Sequence, residues 1–287
     1  MKRILVPVDF SEQAKFALKF AAELNDIHND MRVTVLHAVE HPIESYLDPT
    51  GLAVGFGADA DLLRVMKENA SKAMEVFMKE TITEAQFQQV NKKIVAGTAY
   101  ECVQDELAEE EYDMVIMGTK GASGLKEMFV GSNAEKVVRL ASCPVITMTE
   151  EVAVPSIKNI VFATATLADI SEELLAEIKQ LQELFDAQIH LVRINTPNNF
   201  ERDSVVKQAL QQVADRYMLS NYTLNIYNDK YEEQGIIAFA KEIDADMIAM
   251  GTHGRQGLAH LLSGSLAEDI VNHASYPIWT YHISETV

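Results

Sequence analysis

Cysteine is scarce in this chain, whose 287 residues include two, Cys102 and Cys143. One falls within a predicted helix and the other at a helix end, and we interpret both as small buried hydrophobic residues. Neither lies in a motif that is typical of a nucleophile. The absence of a disulfide framework is typical of a reduced, cytoplasmic protein.

Basic residues and long apolar runs are also few. The chain has 24 Lys and Arg against 43 Asp and Glu, which gives a formal net charge of −19 and argues against nucleic acid or anionic membrane as partners. The apolar run at residues 4–8 is interrupted by Pro7 and followed by Asp9, and no window reaches membrane-spanning length. We therefore expect neither a signal peptide nor a membrane span.

Several catalytic signatures are missing as well. The chain has no G-x4-G-K-[ST] motif of P-loop NTPases, no G-x-S-x-G elbow, and no H-x-G-H or K-M-S-K-S signature of adenylyl-transferring enzymes. His253, His260 and His273 could in principle form a zinc cluster, but their spacing matches no strong ligand pattern. Scattered surface histidines are the favoured interpretation.

The chain does contain one glycine motif twice, with the spacing G-x2-G-x9-G-S. Each copy follows a short apolar run that ends in Met, precedes a helical pattern, and lies 133 residues from its counterpart. The two copies consist of Gly118, Gly121, Gly131 and Ser132, and of Gly251, Gly254, Gly264 and Ser265.

A strand that leads into a glycine turn, followed by a Gly-Ser pair that opens a helix, can form an anion cradle. The N–H groups of a first helical turn lack intrahelical partners, and glycine has no Cβ to keep an anion away. The serine hydroxyl can add a donor or can simply cap the helix. The alternative is that the glycines only close tight turns between strand and helix.

The motif at this spacing resembles that of the universal stress protein family, and its doubling resembles the tandem two-domain members. The resemblance covers nearly the whole chain and implies Rossmann-like folds, which bind ATP in many members and nothing measurable in others. Val8-Asp9-Phe10-Ser11 matches the family pattern V-D-x-S, whose Asp faces the nucleoside. For Asp9 the alternative is a turn or helix-capping carboxylate.

The resemblance predicts an ATP site in the N-terminal half, at the carboxyl ends of the strands. Mg²⁺ is a plausible co-ligand because the negative field of the protein opposes a bare anion. No motif residue is an evident general base, so the chain would be at most a weak ATPase. The predicted cofactor-binding residues are Pro7, Asp9 and Ala38 on the nucleoside side, Gly118, Gly121, Gly131, Ser132 and Asn133 on the phosphate side, and Gly251, Gly254, Gly264 and Ser265 in the second half.

Apolar runs and amphipathic patterns alternate along both halves, which predicts an α/β protein with two Rossmann-like (adenine nucleotide alpha hydrolase-like) domains. Each domain should be an open parallel five-stranded sheet with helices on both faces. We predict the first domain at 1–148, with a loop and helix insertion around 41–79 and little regular structure at 41–60. Residues 149–158 form the predicted linker, and 159–287 form the second domain.

The second half departs from the first on the nucleoside side. Ala165 aligns with Asp9, so the carboxylate is absent, and Arg193 is expected opposite Ala38. This half could bind a different anion or could be an empty relic. We therefore expect a stress-response or signalling protein with ATP in the N-terminal half, whose halves pack as an internal pseudo-dimer. The rival is a nucleotide-independent scaffold, and a homodimer of the whole chain remains open.

Overall fold

The structure is a computed structural model of the chain. The residues that it describes are 2–40, 45–47, 53–55, 60–119, 132–164, 171–216, 218–253 and 276–283. The first half contains β1 (Lys2–Pro7), α1 (Glu12–His28), β2 (Met31–Val39), β3 (Ser45–Leu47), β4 (Ala53–Gly55), α2 (Ala60–Thr81), α3 (Glu84–Phe87), β5 (Asn91–Ala96), α4 (Ala99–Glu109), β6 (Met114–Gly118), α5 (Ser132–Leu140) and β7 (Val145–Met148). The second half contains a 3₁₀ turn (Val154–Ser156), β8 (Asn159–Ala163), α6 (Glu172–Phe185), β9 (Gln188–Asn195), α7 (Asp203–Arg216), β10 (Tyr222–Asn228), α8 (Glu232–Glu242), β11 (Met247–His253) and β12 (Ile278–Ile283).

The two halves share one ten-stranded sheet, in the order β10-β9-β8-β11-β12-β7-β6-β1-β2-β5. Within each half the five strands are parallel, and β7 pairs with β12 antiparallel where the halves meet. At that junction Ile146 lies opposite Trp279, its own counterpart 133 residues away, so an approximate two-fold axis passes between them. The predicted fold class is confirmed.

Helices cover both faces of the sheet. On one face, side chains of α1, α2, α6 and α7 pack into a single hydrophobic core that runs across both halves. On the other face, α4 and α5 cover the first half and α8 covers the second, each over a core of its own. Because parallel strands are buried on both faces, β1 from Ile4 onward and β8 from Ile160 onward are continuous apolar runs rather than alternating patterns.

A pair of short strands and one short helix were not predicted. Within 41–60, where we expected little regular structure, β3 and β4 pair antiparallel, and the residues between and around them lie outside the described ones. The helix α3 begins at a capping box, in which Thr83 Oγ1 accepts from the N–H of Gln86 and the Gln86 side chain accepts from the N–H of Thr83. Its T-x-x-Q pattern is a helix-start signal that the sequence offered.

The segment that joins the halves is packed against α1. Val154 and Ile157 are buried in the shared core, and the N–H of Val154 donates to Glu23 Oε2 at 2.9 Å. Lys19 of α1 forms an ion pair with Glu151 at 3.0 Å. These contacts complete the internal pseudo-dimer, in which strand pairing and one continuous core hold the two repeats together.

Candidate functional site

A cavity of about 100 Å³ lies at the carboxyl ends of β1, β2 and β6, beside the first turns of α1, α4 and α5. Strand ends of a parallel sheet meet at one edge, which is why residues distant in sequence converge there. Five of the predicted site residues line this cavity. Its lining consists of Pro7, Val8, Asp9, Ala14, Leu36, Ala38, Ala99, Met117, Gly118, Thr119, Asn133 and Ala134.

Asp9 sits in a tight turn between β1 and α1. Its Oδ1 accepts a hydrogen bond from the N–H of Ser11 at 3.0 Å, and Ser11 Oγ in turn accepts from the N–H of Ala14 at 3.2 Å as the N-cap of α1. Phe10 between them has a φ of 64°, a left-handed conformation that is uncommon for residues other than glycine. The turn thus holds the Asp9 carboxylate at the cavity, and one carboxylate oxygen takes part in a hydrogen bond within the turn.

The ring of Phe10 braces this turn from the other side. It stacks on the imidazole of His37 with ring centroids 4.2 Å apart, and it packs against Phe77 of α2. Nδ1 of His37 donates to the carbonyl oxygen of Val8 at 2.8 Å. These contacts help to hold the unusual backbone of Phe10, and hence the position of Asp9.

Gly118 ends β6 directly beneath the first turn of α1. A Cβ at this position would lie 2.7 Å from the carbonyl carbon of Gln13 and 2.9 Å from the backbone nitrogen of Ala14. Backbone atoms cannot yield as a side chain does, so only glycine allows the strand and helix to approach this closely. The first glycine of the motif is therefore explained by packing, whatever else it does.

The threonine that follows each first glycine has the same structural role in both halves. Thr119 Oγ1 donates to the carbonyl oxygen of Met148, and Thr252 Oγ1 donates to that of Tyr281, the equivalent residue. Both threonines are buried. Sequence reasoning did not select Thr119 as a lining residue, although its repetition in the doubled motif was a signal.

The phosphate side of the predicted site is only partly described. α5 begins at Ser132, and Asn133 and Ala134 of its first turn line the cavity, so the helix N-terminus is directed toward it. Gly121 and Gly131 lie outside the described residues, as does the side chain of Ser132. The cradle itself therefore remains a prediction.

In the second half, Leu174 occupies the position that Ala14 has in the first. The N–H group of each donates to the N-cap serine three residues earlier, Ser171 or Ser11. A Cβ on Gly251 would lie 2.7 Å from Cδ2 of Leu174, whose side chain is 3% exposed. The side chain of Leu174 therefore covers Gly251, whereas the smaller side chain of Ala14 lines the open cavity of the first half. Ala165, Gly254, Gly264 and Ser265 lie outside the described residues.

The expected placement of Arg193 opposite Ala38 is wrong by one residue. Pro7 pairs with Leu36 and Ala163 pairs with Val192, the same 29-residue separation in both halves, which makes Ile194 the counterpart of Ala38. Successive strand residues project to opposite faces, so Arg193 starts from the face opposite to that of Ala38. Its Nη1 is buried and has no hydrogen-bond partner among the residues that the structure describes.

Other reactive groups are inert or absent from what is described. Burial raises the pKa of the Cys143 thiol to about 12 and also raises that of Cys102, so both remain poorly nucleophilic thiols. The described residues contain no group of three or more His, Cys, Asp and Glu side chains that could hold a metal ion. His260, His273 and the side chain of His253 are outside them. Within the same residues, no helix combines the length and apolar character needed to cross a membrane.

Comparison with known proteins gives the chain its family. The model of the Universal stress protein family matches residues 1–148 and again 156–282. Universal stress protein Slr1230 of Synechocystis is 22% identical over 98% of this chain and 100% of its own length. Universal stress protein MJ0577 of Methanocaldococcus jannaschii is 30% identical over 51% of this chain and 94% of its own. A universal stress protein structure from Archaeoglobus fulgidus covers 98% of both chains with a TM-score of 0.71 at 20% identity. This chain belongs to the universal stress protein family and carries two copies of its domain in tandem.

Proposed function

We propose that this tandem universal stress protein binds ATP in its N-terminal half and acts in a stress response or in signalling through nucleotide occupancy. The observation that carries the proposal is the convergence of Pro7, Asp9, Ala38, Gly118 and Asn133 on one cavity. These residues were selected from four separate segments of the sequence. The proposed division of the chain is 1–148 and 159–287, with 149–158 as linker.

In this proposal, Pro7, Asp9 and Ala38 bind the nucleoside side of ATP. Gly118 and Asn133, with Gly121, Gly131 and Ser132, bind the phosphates through N–H groups at the start of α5. A divalent cation such as Mg²⁺ would offset the charge repulsion between ATP and a protein of formal net charge −19. A universal stress protein from Archaeoglobus fulgidus was solved in complex with dAMP, but with a TM-score of 0.34 it adds no support for this chain.

In this proposal ATP acts by being bound, and its hydrolysis is not required. The polar side chains described in the cavity lining are those of Asp9, Thr119 and Asn133. The hydroxyl of Thr119 donates to the carbonyl oxygen of Met148, and Oδ1 of Asp9 accepts from the N–H of Ser11. With its one carboxylate tied in this way, the lining favours at most weak hydrolysis.

For the second half, we propose that Gly251, Gly254, Gly264 and Ser265 form a turn that does not hold ATP. Leu174 supports this proposal because it fills the space above Gly251. The second half would then serve as the packing partner of the first within the pseudo-dimer.

The test is mass spectrometry of ligand released from freshly purified, denatured protein, with titration of nucleotide-free protein by ATP and Mg²⁺. We expect an adenine nucleotide in wild-type protein and in Gly264→Asp, and its loss in Gly131→Asp. The two variants make the same change at equivalent positions of the two halves. If wild-type protein carries no nucleotide and binds none on titration, the proposal is wrong.

A nucleotide-independent scaffold is the second candidate, and one observation favours it. The close approach of α1 explains Gly118 without any ligand, so part of the motif is architectural. A scaffold predicts that partners captured by the wild-type chain are captured equally by Asp9→Ala and Gly131→Asp. If both variants fail to capture these partners, whether ATP is added in excess or removed, partner binding depends on the site. That result would contradict a nucleotide-independent scaffold.

A further inference from the structure

A second cavity, of about 230 Å³, lies between the two halves at the opposite end of the strands from the predicted ATP site. The first half contributes the amino ends of β1 and β6 and the residues before β7, and the second half contributes α6 and β12. The lining residues that carry charge are Lys2, Asp113 and Glu177, and accessible apolar surface comes from residues such as Leu184 and Tyr281.

The approximate two-fold axis between the halves relates this cavity, which we call the hollow corner, to an equivalent position under α1. Helices α1 and α6 correspond from their N-caps, Ser11 and Ser171, onward. With this alignment, buried Leu18 corresponds to buried Ile178 and buried Leu24 to buried Leu184.

The related corner is filled. Ala17 and Phe20 of α1 stand where α6 has Glu177 and Gln180, and Phe20 is 1% exposed. Its ring packs against that of Phe185 with centroids 6.0 Å apart. At one corner of this interface Phe20 is buried against the other half, whereas at the other corner its counterpart Gln180 is exposed beside the cavity.

Glu177 is the acidic group of the hollow corner that has no counterpart at the filled one. The carboxylate of Asp113 accepts from the N–H of Arg3, as that of its counterpart Asp246 accepts from the N–H of Asn159. Glu177 is partly buried, and among the described residues its side chain accepts one hydrogen bond, from Nε2 of Gln180 at 3.2 Å. Lys2 acts on it electrostatically without approaching within ion-pair distance, and Asp113 adds a second negative charge. Burial and Asp113 raise the pKa of Glu177, whereas Lys2 lowers it. A cation here would relieve the cost of keeping two carboxylates near one amine.

We propose that this cavity binds a small amphipathic amine, with its protonated amino group on Glu177 and its apolar body against Leu184 and Tyr281. Size supports this class of ligand, since a dry cavity of roughly 150 Å³ is enough for benzene. Net charge selects a cation over an anion, because the lining carries two acidic groups and one basic group. The site is separate from the proposed ATP site and does not depend on it.

Trp279 is the single tryptophan of the chain and stacks on the cavity-lining ring of Tyr281, with centroids 6.3 Å apart, so its fluorescence reports occupancy. The experiment titrates the full chain with 2-phenylethylamine, and in parallel with neutral 2-phenylethanol and anionic phenylacetate. We expect a saturable change in fluorescence with the amine, at least tenfold tighter than with either analogue, because the amine alone can form a charge-assisted bond.

Three variants test the residues. Glu177→Gln should weaken amine binding about tenfold or more, whereas Glu183→Gln, an exposed glutamate on the same helix away from the cavity, should leave it unchanged. The double change Glu177→Ala with Gln180→Phe copies the residues of the filled corner and should abolish binding while the chain stays folded. Equal affinity for all three probes, or insensitivity to Glu177→Gln, would overturn the proposal, as would no response at millimolar amine.

Discussion

The proposed ATP site can be closed by one substitution that the second half already contains. Ala14 lines the 100 Å³ cavity of the first half, and Leu174 occupies the same position in the second, where it is buried. Ala14→Leu adds three carbon atoms to the cavity wall. A ligand must displace them from a buried position at a cost of about 0.8 kcal/mol each, or about 2.4 kcal/mol in total. That cost corresponds to a roughly 60-fold higher Kd for ATP.

Isothermal titration of nucleotide-free protein with ATP and Mg²⁺ measures this change. Ala14→Leu should also lower the free energy of unfolding, by about 1–3 kcal/mol, because Ala14 is buried and the backbone of α1 lies closer to Gly118 than that of α6 lies to Gly251. The reciprocal Leu174→Ala should leave ATP affinity in the first half unchanged and lower the free energy of unfolding by about 2–5 kcal/mol. A folded Ala14→Leu protein that binds ATP with wild-type affinity would refute the assignment of this cavity.

Two further predictions concern stability. Gly118→Ala should lower the free energy of unfolding by about 1–3 kcal/mol, because the new Cβ meets the backbone of Gln13. Gly251→Ala should lower it less, because there the new Cβ meets the movable end of the Leu174 side chain. Urea unfolding of the two variants measures both changes, and equal losses would contradict this explanation. Burial raises the pKa of Glu177, so its stabilising contribution is complete below the unfolded-state pKa and is lost as pH rises through the folded-state pKa. Glu177→Gln should therefore gain stability relative to wild type as pH rises above the ordinary glutamate pKa of 4.5, and thermal unfolding at a series of pH values would show no such gain if the carboxylate were well solvated.

The fold was largely predictable from the sequence because its main signals are local or periodic. Continuous apolar runs identified strands buried on both faces, and amphipathic patterns identified the helices between them. The constant 133-residue offset also implied that the two last strands are equivalent, and these are the strands that pair across the two-fold axis. That they pair with each other could not be derived from the repeat alone.

The candidate site was predictable only in part. Residues at strand ends converge by the topology of any parallel sheet, so Asp9, Ala38 and Gly118 could be brought together from the sequence. The placement of Arg193 failed because strand register is set by the hydrogen-bond ladder, and a slip of one residue reverses the face. The packing role of Gly118 was hidden because it depends on how closely α1 approaches β6, a distance that no sequence pattern encodes.

The two cavities together indicate how a duplicated chain can divide its functions. The strand ladder at the two-fold axis depends on backbone pairing, so it tolerates different side chains in the two halves. At the carboxyl ends of the strands, alanine in α1 leaves space that leucine fills in α6; on the amino side, Phe20 fills space that Gln180 leaves. Each helix therefore closes one corner and opens another. A symmetric dimer of a single domain could not do this, because any change that opened a corner in one copy would open it in both.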